Sequence, residues 1–90
     1  MLNLEAMKKV HKACQELGKK KNNDYSGKID PLKAFGVPGI AVRLTDKIAR
    51  LGSLTHGTKQ KIKDESIRDT LMDVINYSTY AIMMIDGNWE

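Results

Sequence analysis

The chain has 90 residues, 41% hydrophobic and 29% charged, with a net charge of +4 and a single cysteine. This length holds one small domain, 1–90, and not two separate cores. The balance of apolar and charged residues excludes a disordered chain, and the lone cysteine excludes an internal disulfide framework.

Charge is unevenly spread. Residues 1–28 carry +4, residues 29–63 carry +5 and residues 64–90 carry −5. The first pattern sets Leu4, Met7, Val10, Cys14 and Leu17 at three- and four-residue steps, which predicts an amphipathic helix over about 3–18. Asn3 fits its N-cap, Glu5 its first turn and Gly18 its stop. Cys14 lies on the apolar side and reads as a core thiol. His11 sits beside the stripe and carries no metal or catalytic pattern.

Residues 19–39 show no helical period and many turn formers. The sequence predicts a long loop here, carrying Lys19, Lys20, Lys21, Asn22, Asn23 and Asp24, then the aromatics Tyr25 and Phe35. Cations, amides and aromatic faces are groups that grip a nucleotide's phosphates, sugar and base. They equally suit a solvated loop pinned by two aromatic rings.

A second helix is expected over about 38–51. Val37, Ile40, Ala41, Leu44, Ile48 and Leu51 share one face, Pro38 suits the start and Gly52 the end. Arg43, Asp46 and Arg50 form a separate stripe, with Lys47 between it and the apolar face. GSLTHGTKQKIK then reads as a polar, basic connection, and His56 in it has no metal-ligand spacing.

The third helix is expected over about 64–85, with Asp64 as N-cap and Asp86-Gly87 as stop. Ile67, Leu71, Val74, Ala81, Ile82 and Ile85 make its expected core face. Glu65, Asp69, Asp73, Asn76 and Tyr80 run down the other side. Because its second half is apolar nearly all round, a dimer or larger homo-oligomer is expected to complete the fold. The run 70–85 is broken by Asp73 and Asn76, and the N-terminus lacks a signal-peptide core, so no membrane association is expected. A reducing, cytoplasmic setting fits. The fold class is therefore all-α, a small bundle of three main helices.

Three carboxylates at four-residue spacing repel one another by a few tenths of a kcal/mol per pair. Something positive should face them. The Arg43/Lys47/Arg50 side of the second helix is one candidate. A divalent cation such as Mg²⁺, which prefers oxygen ligands and bridges carboxylates to phosphates, is the other.

Three stretches, KNNDYSG, AFGVPGIAVRLTDKIARL and DESIRDTLMDVINYSTYAI, resemble the nucleotide modification associated domain 1 family, found largely in phages and prophages. The shared pattern is an N-D-Y element, a later Phe, an R-x-x-D-K-x-x-R-L helix and a last helix E-S-x-x-D-T-x-x-D-x-x-N-Y. The resemblance implies a role around nucleotides and, for a phage-encoded chain, residence in the host bacterial cytoplasm.

The layout is also similar, more weakly, to the all-α nucleotide pyrophosphohydrolases of the MazG kind. Those enzymes surround Mg²⁺ with acids from an E-x-x-E helix and an E-x-x-D helix. That likeness implies Asp46, Glu65, Asp69 and Asp73 as metal ligands here. The chain departs from it in offering one Asp amid Arg43, Lys47 and Arg50, and E-x-x-x-D on the last helix. Fewer acids and more cations imply weaker metal activation and stronger phosphate binding.

Two functions follow as expectations. The first is a nucleotide-binding protein that hydrolyses a nucleotide diphosphate linkage with Mg²⁺. Lys21, Arg43, Lys47 and Arg50 would contact phosphates, and Asn23, Asp24, Tyr25 and Phe35 the sugar or base, with Asn76 and Tyr77 among the nucleotide contacts. The second is a non-catalytic sponge that sequesters a nucleotide immune signal, cyclic or otherwise, and so counteracts bacterial anti-phage defence. The missing glutamates favour it. Nucleic-acid binding, suggested by a pI near 9.3, is disfavoured by the acidic last helix and the lack of a recognition-helix pattern.

Overall fold

The computed structural model describes residues 1–24, 31–56 and 60–89, and within these the side chains of all but 23, 24, 31, 33 and 60–65. Among the described residues there are three α-helices and no strand: α1 (Leu4–Asp24), α2 (Pro31–Thr55) and α3 (Gln60–Ile85). The chain divides into two compact units, Met1–Asp30 and Pro31–Glu90. Among the described residues no helix is long and apolar enough to cross a membrane.

In the first unit, α1 starts as its sequence dictates. The Asn3 side-chain oxygen accepts a hydrogen bond from the Ala6 N–H at 3.0 Å, satisfying one of the amides that a helix start leaves without a partner. Cys14 is buried. The helix does not stop at Gly18 but runs on to Asp24. A single interior glycine costs a helix only about 1 kcal/mol, and the lysines that follow are good helix formers. Part of the expected loop is therefore helical, and Tyr25 lies outside the described residues.

The second unit is a helical hairpin, α2 packed along α3. Gly36 breaks α2 with φ 61° and ψ −153°, a region that essentially only glycine enters. The chain resumes its helix at Val37, so Pro38 still stands in the first turn of a helical segment, where its missing N–H costs least. At the other end α2 continues past Gly52 to Thr55. There the Gly52 carbonyl accepts the Thr55 hydroxyl at 3.0 Å and lies 2.9 Å from His56 Nδ1. His56 thus caps the helix by occupying a carbonyl that lacks an intrahelical donor.

α3 begins at Gln60, a turn before Asp64. It ends where the sequence indicates. The Asn88 N–H donates to the Met83 carbonyl at 2.7 Å and the Gly87 N–H to the Met84 carbonyl at 3.1 Å, while Gly87 takes φ 78°. That pair of bonds with a left-handed glycine is a Schellman cap. It turns the chain back so that the Trp89 ring comes within 5.0 Å of the Tyr80 ring, centroid to centroid.

The core of the hairpin centres on Ile40, 1% exposed, with Thr70 and Asn76 of α3 also buried. This corrects the expected facing of α3 in part. Asp73, Asn76 and Tyr80 of its polar strip are enclosed while Asp69 is exposed, and of the expected core face Ile67, Val74 and Ala81 are half-buried whereas Leu71, Ile82 and Ile85 are exposed. Thr70 tolerates burial because its hydroxyl donates to the Ser66 carbonyl at 2.7 Å.

Three glycines separate the forces that shape α2. A Cβ on Gly39 would stand 2.5 Å from the Phe35 Cβ, whereas one on Gly52 meets nothing within 4 Å. Gly39→Ala should cost about 1–3 kcal/mol through overpacking. Gly36→Ala should cost about 1–3 kcal/mol through its backbone, and Gly52→Ala should gain about 0.5–1 kcal/mol. Urea unfolding of the three variants gives these values.

Candidate functional site

The centre of the candidate site is a contact between helices. Lys47 Nζ of α2 lies 3.0 Å from Asp73 Oδ2 of α3, with 27% and 16% of the two side chains exposed. The positive group that the acidic strip calls for is therefore Lys47, at least for Asp73. Near the kink, Gly36 and Val37 share a wall with Met84 and Trp89. Chain numbers rise along α2 as they fall along α3, so the helices run antiparallel.

That register locates the remaining charges. Arg43 lies one turn from Lys47 toward the kink, level with Asn76 and Tyr77. Arg50 lies one turn the other way, level with Asp69 and Thr70. At 100° per residue, Arg43, Asp46 and Arg50 fall on one flank of Lys47, and Asp69 and Asn76 on the corresponding flank of Asp73. In an antiparallel pair like flanks adjoin, so these residues share one long edge of the hairpin.

Arg43, Asp46, Arg50 and Asp69 are all exposed. Among the described residues none of the four makes an ion pair, although Asp46 stands at pairing distance in sequence from both arginines. Asn76 is buried and its side chain is engaged within the protein. Tyr77 packs edge-on against Tyr80, with ring centroids 6.3 Å apart, on the opposite flank from Arg43. Phe35 is exposed at the kink.

Lys21 stands near the end of α1, in the other unit, and is also engaged. Asn23 and Asp24 continue α1, but their side chains, like that of Glu65, lie outside the described residues. Among the described residues no group of three or more His, Cys, Asp or Glu side chains is placed to hold a metal ion. Asp73 is committed to Lys47, and Asp46 and Asp69 stand on different helices.

One feature escaped the sequence reading. A cavity of about 230 Å³ opens at the kink, lined by Gly36, Val37, Met84 and Trp89. Its only signal was a Trp two residues after a helix stop, and a ring that close to a Gly turn folds back onto its own helix.

Helix composition, hairpin packing and a mixed-charge edge define an all-α domain whose polar chemistry is concentrated on its α2–α3 hairpin. The chain belongs to the family described as Nucleotide modification associated domain 1, whose model matches residues 21–85. The matched span takes in the end of α1 and the whole of both hairpin helices. No curated protein and no solved structure matches the chain.

The Lys47–Asp73 pair has a measurable signature. Its partial burial puts it above an exposed pair, worth about 0–1 kcal/mol, and below a fully buried one, whose breaking costs about 3–5 kcal/mol. Asp73→Ala should destabilise the protein by about 1–3 kcal/mol, and a cycle with Lys47→Met should return a coupling of about 1 kcal/mol. Asp69→Ala, on the exposed edge, should change stability by less than about 0.5 kcal/mol. Chemical denaturation of the four variants is the check.

Proposed function

We propose that this chain binds a nucleotide along the edge of its α2–α3 hairpin and holds it without cleaving it. Arg43 and Arg50 take the phosphates. A guanidinium presents a planar fork of donors to phosphate oxygens and stays charged at any working pH. Asp69 and Asp46 accept hydrogen bonds from sugar hydroxyls, as an acidic residue does in dinucleotide sites. The exposed Phe35 ring offers a face on which a base can stack.

The observation that carries this reading is the pair of exposed arginines flanking the Lys47–Asp73 bridge. Among the described residues each is left without a carboxylate partner, although Asp46 lies between them. Family membership supplies the nucleotide context. Holding rather than hydrolysing is supported by the commitment of Asp73 to Lys47, which removes an acid from the set that would activate water through Mg²⁺. A protein of this kind lowers the free concentration of its ligand, which suits sequestration of a nucleotide signal.

The test is an incubation of purified protein with a panel of nucleoside triphosphates and cyclic oligonucleotides, with and without Mg²⁺. After denaturation, chromatography and mass measurement identify what is released. The expected result is one ligand class depleted from free solution and recovered intact in both conditions. Arg43→Ala and Arg50→Ala should each weaken its binding at least about tenfold, the loss of a hydrogen bond to a charged group. A product formed only with Mg²⁺ would overturn the holding reading in favour of a metal-dependent hydrolase using Asp46, Glu65 and Asp69. No depletion across the panel would overturn nucleotide binding itself.

A further inference from the structure

The outer face of α3 is apolar and open. Leu71, Ile82 and Ile85 are 45%, 58% and 73% exposed, and the 100° step puts all three on one stripe with Ser78 near its middle. That stripe points away from Asp73 and therefore away from α2. Two charges border it. Arg68 and Asp86 are both exposed, and among the described residues neither side chain has a partner. Asp86 still belongs to the helical spiral, because its N–H donates to the Ile82 carbonyl at 2.9 Å.

Arg68 and Asp86 are eighteen residues apart, which is five turns at 3.6 residues per turn. They therefore stand on the same border of the stripe, at its two ends, about 27 Å apart. An arrangement of this kind complements itself. When two copies of a helix pair antiparallel about a two-fold axis, like borders adjoin and opposite ends meet. An axis near Ser78 brings Arg68 of each copy level with Asp86 of the other. The same placement lowers each Leu71 between Ile82 and Ile85 of the other copy, and the small Ser78 side chains let the helices approach at the axis. A parallel two-fold pairing would instead put like borders on opposite sides of the seam, so that neither Arg68 would meet an Asp86 of the other copy.

We propose that this face binds a second copy of the chain, through an antiparallel α3–α3 contact with two symmetric Arg68–Asp86 ion pairs at its ends. Register and charge agree on one axis position, and that agreement selects a second copy over a lipid surface or an unrelated apolar partner. The contact is one helix wide, so the dimer is a weak one, smaller than a standard interface. This pairing is independent of what binds the α2–α3 edge.

Sedimentation equilibrium of the full chain between about 10 and about 500 µM tests it, a range suited to a small interface. The wild-type chain should be a reversible dimer. Arg68→Glu turns two attractions into two repulsions and should weaken dimerisation about tenfold, as should Asp86→Arg. The double variant Arg68→Glu/Asp86→Arg restores opposite charges with their places exchanged, and should return to within about threefold of wild type. Far-ultraviolet circular dichroism should show the same helicity for all four, since neither side chain has a partner within the described protomer.

A wild-type chain that stays monomeric across the range would overturn the proposal. So would a monomer that instead partitions onto zwitterionic phospholipid vesicles, which would assign the face to a lipid surface. A dimer indifferent to Arg68→Glu would place the interface elsewhere. A double variant as weak as the singles would refute the antiparallel register, and the proposal with it.

Discussion

The half-buried ion pair between Lys47 and Asp73 fixes how α2 and α3 meet, and the placement of every other charge follows from it. Sliding α3 by one turn would still offer Asp73 a cation, Arg43 or Arg50. The same slip would set different α3 side chains against Ile40, the most enclosed apolar side chain in the hairpin. Only the observed register pairs Asp73 with the half-buried Lys47 rather than with an exposed arginine. A polar pair inside an apolar seam adds little net stability, because both charges lose water. Its contribution is selection of one alignment, the role such groups have in coiled coils.

Once that register is set, polar residues must be accommodated between the helices. Thr70 and Asn76 are buried there, and among the described residues no buried side-chain nitrogen or oxygen lacks a hydrogen-bond partner. α3 therefore turns a mixed, fully satisfied face to α2 and keeps Leu71, Ile82 and Ile85 for its outer side. Apolar side chains on the outside of a small domain leave part of the available hydrophobic driving force unused within the chain. α3 thus carries an apolar reserve on the side opposite its most polar contact.

Much of this was legible in the sequence. The three helices came from periodicity, the Asn3 cap and the Asp86-Gly87 stop from local chemistry, and a cationic answer to the acidic strip from charge balance. Helix ends were harder. Gly18 and Gly52 looked like stops, but one glycine is a penalty of about 1 kcal/mol that an otherwise favourable run absorbs. The facing of α3 was not legible, because a helix with apolar residues on both sides gives period without direction. The choice is made by the partner helix, through a lysine whose importance depends on its depth. Trp89 was missed for a related reason. Its place against Tyr80 depends on a left-handed turn at Gly87, and a residue past the end of a helix has no period to betray it.

The order of surfaces around α3 bears on how binding and self-association would combine. Asp69 lies within about 40° of the direction toward α2, while the centre of the Leu71–Ile82–Ile85 stripe lies roughly opposite. A helix is about 10 Å across with its side chains, so a second copy seated on the outer stripe leaves the Arg43–Arg50–Asp69 edge uncovered. In a two-fold pair the edge of one copy and that of the other open toward the same side of the dimer, because like borders adjoin. Two sites on one side give a dimer an advantage over a monomer only for a ligand with more than one phosphate group to offer, where the second contact becomes intramolecular. Local concentration rather than any added contact would then set the gain. A mononucleotide with a single phosphate would bind each edge independently, so the dependence of apparent affinity on protein concentration separates the two ligand classes.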